Sequence, residues 1–167
     1  DKKNLYTEGR NESPAIFLDS LAGFLYSQIQ KGEDDLASMM ESEDVWLPAS
    51  LADLYQVTPS PATAGAPGPS GSLTAYTQTG TAKGLLYQPG LIMSMSGQSH
   101  TNIPLRGKFL LRNFFCHDLE TPENLADVVS QVKFDKSLPV SHALDLVTGG
   151  GNCSGCHQMI DGPGALF

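Results

Sequence analysis

The sequence is poor in positive charge, in cysteine and in long apolar runs, and each shortage removes a class of protein. Of 167 residues only 10 are lysine or arginine, against 18 acids, for a formal net charge of −8. The acids crowd toward the start: residues 1–60 hold 11 of them with 4 bases, whereas residues 61–167 hold 7 and 6. No basic stripe exists to displace counterions from phosphates, which excludes nucleic acid as a partner. An acidic surface serves solubility or meets a basic protein. No apolar run is long enough to span a bilayer, so any membrane association is indirect. Three cysteines are too few for a disulfide framework. No secretory leader is visible at Asp1-Lys2-Lys3-Asn4, so an exported protein is expected here as a mature form or a fragment. Alternating apolar and polar positions are also scarce, which argues against much sheet.

What the chain has in quantity is glycine (17) and proline (11), beside 40% hydrophobic residues. That mixture predicts a mainly α fold of short helices joined by long Gly/Pro-rich loops. The length allows one domain or two small ones. Amid the few cysteines stands one dense motif, Cys153-Ser154-Gly155-Cys156-His157. Two thiols three positions apart can bond the two vinyl-derived carbons on one edge of a porphyrin, and the adjoining imidazole can ligate the iron from below. C-x-x-C-H is accordingly read as a c-type haem attachment site, with His157 as the proximal ligand. Three rival readings stand beside it: a zinc site from Cys116, His117, Cys153 and Cys156, a redox C-x-x-C, and a structural disulfide. Zinc has no need of a histidine directly after the second cysteine, and no βαβ pattern surrounds the motif as a thioredoxin-like site requires.

In chain order, residues 1–12 are polar. Ser13-Pro14 reads as a helix start, and Ile16, Phe17, Leu21, Phe24, Leu25 and Ile29 mark the inner face of a helix over 14–31 that Gly32 ends. Acids Glu33, Asp34 and Asp35 introduce a short helix over 34–41. Pro48 opens a third, carrying Leu51, Leu54 and Tyr55. Residues 58–72, TPSPATAGAPGPSGS, form a Pro/Gly/Ser-rich insertion. Thr101-Asn102 cap a helix over 104–116 whose expected apolar side is Leu105, Phe109, Phe114 and Phe115 and whose basic side is Arg106, Lys108 and Arg112. Thr121-Pro122-Glu123 start another, with Leu125, Val128, Val129 and Val132 as a buried stripe. A last helix over 139–147 stops at Gly149-Gly150-Gly151. The expected organisation is a helical domain over 13–120 and a haem-attachment segment over 121–167, forming one continuous unit.

The order of these motifs resembles the planctomycete-type cytochrome family, exported proteins with paired domains of unknown function. The matching landmarks are Leu51-Ala52-Asp53-Leu54-Tyr55, Gly84-Leu85-Leu86, Thr101, Pro104, Arg106-Gly107-Lys108, Phe115-Cys116, the C-x-x-C-H motif and Asp161. The resemblance spans roughly residues 13–167. It departs at Asp161-Gly162-Pro163-Gly164, where the family often has Asp-Pro-x-Gly, and at Val147, where many members carry histidine. It implies an exported haem protein whose sequence continues beyond this segment.

The remaining site residues rest partly on chemistry and partly on the resemblance, since related sequences tend to carry histidine at the place of His100, just before the Arg106 helix. Met159 is too near His157 to reach the opposite face of a haem. His100 is the first choice for the sixth ligand, with His142, a methionine (Met93 or Met95) or an open, water-bound position as alternatives; His117 completes the histidines. Arg106 and Lys108 can pair with haem propionates or with protein acids. Cys116 is either a small buried apolar residue or the partner of a cysteine elsewhere. The expected function is that of a periplasmic or extracellular monohaem carrier transferring single electrons to redox partner proteins, as a subunit or fragment of a larger assembly. The alternatives are a haem enzyme with an open sixth site and a structural subunit. Few core-forming residues follow His157, so the end near Pro163 to Phe167 is expected to lie against another chain or a continuation of this one.

Overall fold

A computed structural model describes residues 14–33, 35–60, 73–96, 101–120, 122–133, 135 and 137–166. The fold is mainly α: among the described residues there are eight α-helices and one small sheet. The chain divides into two compact units, residues 1–94 and 95–167.

The first unit is built on α1 (Pro14–Lys31), α2 (Leu36–Glu41), β1 (Asp44–Leu47), α3 (Ala52–Tyr55), β2 (Thr58–Pro59), β3 (Thr74–Thr77) and α4 (Pro89–Ser94). α1 fills the expected span. Ser13, its expected cap, and most of the 58–72 insertion lie outside the described residues. α2 begins at Leu36 because Asp35 caps it, accepting from the Ser38 amide. Ala49–Leu51 make a 3-10 turn that leads into α3, as Pro48 foretold.

The sheet runs β1-β3-β2, antiparallel throughout, with Trp46 opposite Ala75 and Val45 opposite Tyr76. Scarce alternation did not reveal it. The strands are two to four residues long, and Val45, Trp46 and Leu47 are all buried, so β1 has no polar positions to alternate with. One sheet face joins Phe24 with Trp46 and Ala75; the other gathers Val45, Leu47 and Tyr76. α1 also buries polar groups on its inner side. The Ser20 hydroxyl donates to the Trp46 carbonyl, and Gln28 Nε2 donates to Asp44 Oδ2 at 2.9 Å. Lys31 pairs with the same carboxylate. From the start of α4, Gln88 Nε2 donates to the Asp44 carbonyl at 2.9 Å. By contrast Ile29, placed on the inner face by periodicity, is 60% exposed.

The second unit contains α5 (Ile103–Phe114), α6 (Leu125–Gln131), α7 (Val140–Thr148) and α8 (Ser154–Gly164). Asn102 caps α5, accepting from the Leu105 amide at 3.0 Å. Two faces differ from expectation. α5 buries Ile103, Arg106, Gly107 and Leu110, while Leu105 and Phe115 are exposed, so Arg106 belongs to the inner face. The reason is Gly107: it makes this side flat enough for another helix to touch. α6 starts at Leu125, and its Leu125, Val128 and Val129 are exposed, not a buried stripe. Periodicity marks an apolar face but says nothing of what covers it. The segment after His157 is also more ordered than its glycines suggested. It forms the greater part of α8, the eleven-residue helix Ser154–Gly164, with Pro163 in its last turn.

Candidate functional site

α8 carries the motif. Gly151, at φ +63°, turns the chain out of α7 through a short 3-10 turn to Cys153. Cys153 occupies the cap position of α8 and Cys156 lies in its first turn. Both are half-buried, and neither thiol is in a disulfide.

Two glycines fix α8 against α5. A Cβ on Gly107 would stand 1.8 Å from the Ile160 carbonyl oxygen, and one on Gly164 would stand 2.0 Å from that of Ile103. The helices therefore meet backbone to backbone, with Ile103, Leu110 and Ile160 buried beside the contact. This places Arg106 and Lys108, which flank Gly107, on the helix that supports the motif. Arg106 is buried and Lys108 half-buried.

His157 faces the next turn of its own helix. Its Nδ1 lies 3.0 Å from both Oδ1 and Oδ2 of Asp161. A carboxylate only accepts, so Nδ1 carries a proton, and in the neutral ring Nε2 keeps its lone pair. The Thr148 hydroxyl, buried at the end of α7, is 3.2 Å from Asp161 Oδ2 and 2.9 Å from the Leu144 carbonyl oxygen. Its single proton serves one of them at a time. A cleft of about 170 Å³ is bordered by Asp145, Thr148 and Gly149 from the end of α7 and by His157 and Asp161 from α8.

The donor set fits a c-type haem: two unpaired thiols one turn apart, then an imidazole whose Nε2 is free to ligate. The cleft is smaller than the roughly 300–1,000 Å³ that enclose a small-molecule ligand, so it can border a haem but not surround one. The zinc rival gains nothing, since no three His, Cys, Asp or Glu side chains converge to hold a metal ion among the described residues. Cys116 follows α5 at φ +53° and is exposed, which removes the buried apolar reading. His117 and His142 are exposed, Met93 is exposed and Met95 is buried. His100 lies outside the described residues.

Residues 82–167, just over half of the chain, match the family PSCyt3, described as a protein of unknown function (DUF1588). The chain belongs to the PSCyt3 family. PSCyt3 is a planctomycete cytochrome-type domain, in line with the family the sequence resembles. The matched span takes in all of the second unit and leaves out Leu51-Ala52-Asp53-Leu54-Tyr55. No curated protein and no solved structure matches the chain.

Sequence reasoning used Asp161 only as a PSCyt3 landmark and missed its bond to His157. The signal was present: i and i+4 positions share a helix face. Gly162-Pro163-Gly164 masked it by making the segment look non-helical. Nothing in the sequence pointed to Thr148, whose contact with Asp161 is tertiary.

Proposed function

We propose that this chain is an exported monohaem c-type cytochrome domain that transfers single electrons as part of a larger redox assembly. The observation that carries the reading is His157, which directly follows the second cysteine and has Nδ1 bound to Asp161, so that Nε2 alone is offered to a metal. Membership of a cytochrome-type family supports it. Cys153 and Cys156 would hold a haem c by thioether bonds, and His157 would offer Nε2 to its iron. Arg106 and Lys108 face its propionates as charge-assisted donors. His100, outside the described residues, would be the sixth ligand on the sequence reading, with His142, Met93 or Met95 or an open position as the alternatives. When bound, the haem supplies an iron that passes between ferric and ferrous forms by one electron.

Covalent attachment outside the cytoplasm makes this a periplasmic or extracellular protein. A cleft of about 170 Å³ leaves most of a haem uncovered, so a partner subunit or further chain supplies the rest. The acidic region of residues 1–60 suits a basic redox partner.

The test is to express the chain in a periplasm equipped for c-type maturation. Haem should stay with the chain through denaturation and acid-acetone extraction, and the Cys153→Ala/Cys156→Ala variant should lose it. A colourless chain overturns the proposal. The reduced spectrum then separates carrier from enzyme: six-coordinate iron inert to carbon monoxide marks a carrier, and ready binding marks an open catalytic position.

A further inference from the structure

We propose that Asp161 is a positioning residue that fixes the tautomer of His157 and holds the potential of its haem low. The inference rests on the haem reading above and deepens it. Both Asp161 oxygens lie 3.0 Å from His157 Nδ1. A bond from a ring N–H to an ionised acceptor is roughly twice as strong as one to a neutral carbonyl. It draws the Nδ1 proton toward oxygen, makes Nε2 a stronger donor, and so favours the more positive, ferric state of an iron bound there. The Asp161 side chain is only 23% exposed, so its charge is weakly screened at the ring. Asp145, the second carboxylate at the cleft, is exposed and contributes less. The device spans two helices, because the Thr148 hydroxyl at the end of α7 touches Asp161 Oδ2.

Two measurements test this, one without haem and one with it. In the haem-free full chain at alkaline pH, nitrogen-15 NMR of the histidines should find His157 protonated on Nδ1, and Asp161→Ala, which removes the acceptor, should return it to the Nε2–H form that free imidazole prefers. In the haem-loaded chain, an electrode-poised titration should give a higher midpoint potential for Asp161→Asn than for the wild type. Asp161→Glu, which keeps the charge, should stay nearer the wild type, and Asp145→Asn should shift it less than Asp161→Asn. If the Asn variant does not take up haem, the comparison of Asp161→Gln with Asp161→Glu reads the same effect. Wild-type His157 protonated on Nε2, or a potential that ignores the charge at 161, overturns the inference while leaving a haem-bearing chain intact. A wild-type chain without covalent haem overturns the haem reading, and the potential-setting role falls with it.

Discussion

Replacing Gly107 by alanine tests the contact that seats the motif helix. In an exposed helix interior, Gly→Ala stabilises by roughly 1 kcal/mol because alanine loses less backbone entropy. At Gly107 the sign should reverse. The new methyl would stand 1.8 Å from the Ile160 carbonyl oxygen, 2.6 Å from its carbon and 2.9 Å from its Cα. All three are backbone atoms, so no side chain can swing aside. Reaching an ordinary contact of 3.4 Å requires α5 and α8 to part by about 1.6 Å along that line. Gly164, whose own Cβ position is 2.0 Å from the Ile103 carbonyl oxygen, would be lifted off α5 as well. Overpacking costs about 1–3 kcal/mol, and a clash with unyielding backbone belongs at the upper end. After the propensity gain, Gly107→Ala should destabilise the second unit by about 2 kcal/mol. Gly162→Ala is the control: it lies on the partner helix α8 with nothing within 4 Å of its Cβ position, and should be neutral or mildly stabilising. The assay is urea unfolding followed by far-UV circular dichroism, with hydrogen exchange across Ile103–Phe114 and Ser154–Gly164. Tryptophan fluorescence would miss the effect, because the single tryptophan, Trp46, belongs to the first unit. Equal shifts for Gly107→Ala and Gly162→Ala would refute the close contact.

Other outcomes are expected elsewhere. Gln88→Leu strips a donor from the Asp44 and Gly84 carbonyls and should destabilise by about 1 kcal/mol in urea unfolding, the low end for a lost buried partner, because Gln88 Oε1 is itself buried and unpaired. Hydrogen bonds from the Ser38 hydroxyl and amide lower the Asp35 carboxyl below its usual 3.8. The α2 cap should therefore be fully formed above about pH 4 and lost as pH falls through the lowered folded value, read from the Ser38 amide shift. Asp135, lowered by Ser137, should behave the same way in its own turn.

The sequence exposed most of the helices because each carried local signals at its ends: Pro14, Pro48, Asn102 with Pro104, and Gly149-Gly150-Gly151. It concealed whatever depends on a neighbour. Ser20, Ser27 and Gln28 fall outside the apolar set assigned to α1, yet all three are buried, and Ser20 and Gln28 bond to β1. Arg106 was taken for a basic surface position and is inside. The stripe on α6 was legible as apolar, but Leu125, Val128 and Val129 stand exposed. For the site, spacing alone was enough to single out Cys153, Cys156 and His157. Their support was illegible, since Gly162-Pro163-Gly164 reads as a loop until α5 is there to pack against it.

That packing gives the two landmarks of the family a physical connection. Arg106-Gly107-Lys108 and Cys153-Ser154-Gly155-Cys156-His157 are separated by more than forty residues, with two helices between them. In space the glycine of the first touches Ile160, three residues after the histidine of the second. One turn of α8 thus has two duties. Ile160 meets Gly107 and anchors the helix, while its neighbour Asp161 holds His157 from the same turn. A displacement of α8 at Gly107 would part Asp161 from Thr148 across the contact between α7 and α8. The His157–Asp161 bond lies within α8 and travels with the helix, so the Nδ1–H form should survive Gly107→Ala as it survives Gly162→Ala in the nitrogen-15 experiment. Loss of that form in Gly107→Ala alone would show that the histidine depends on the helix contact as well as on Asp161.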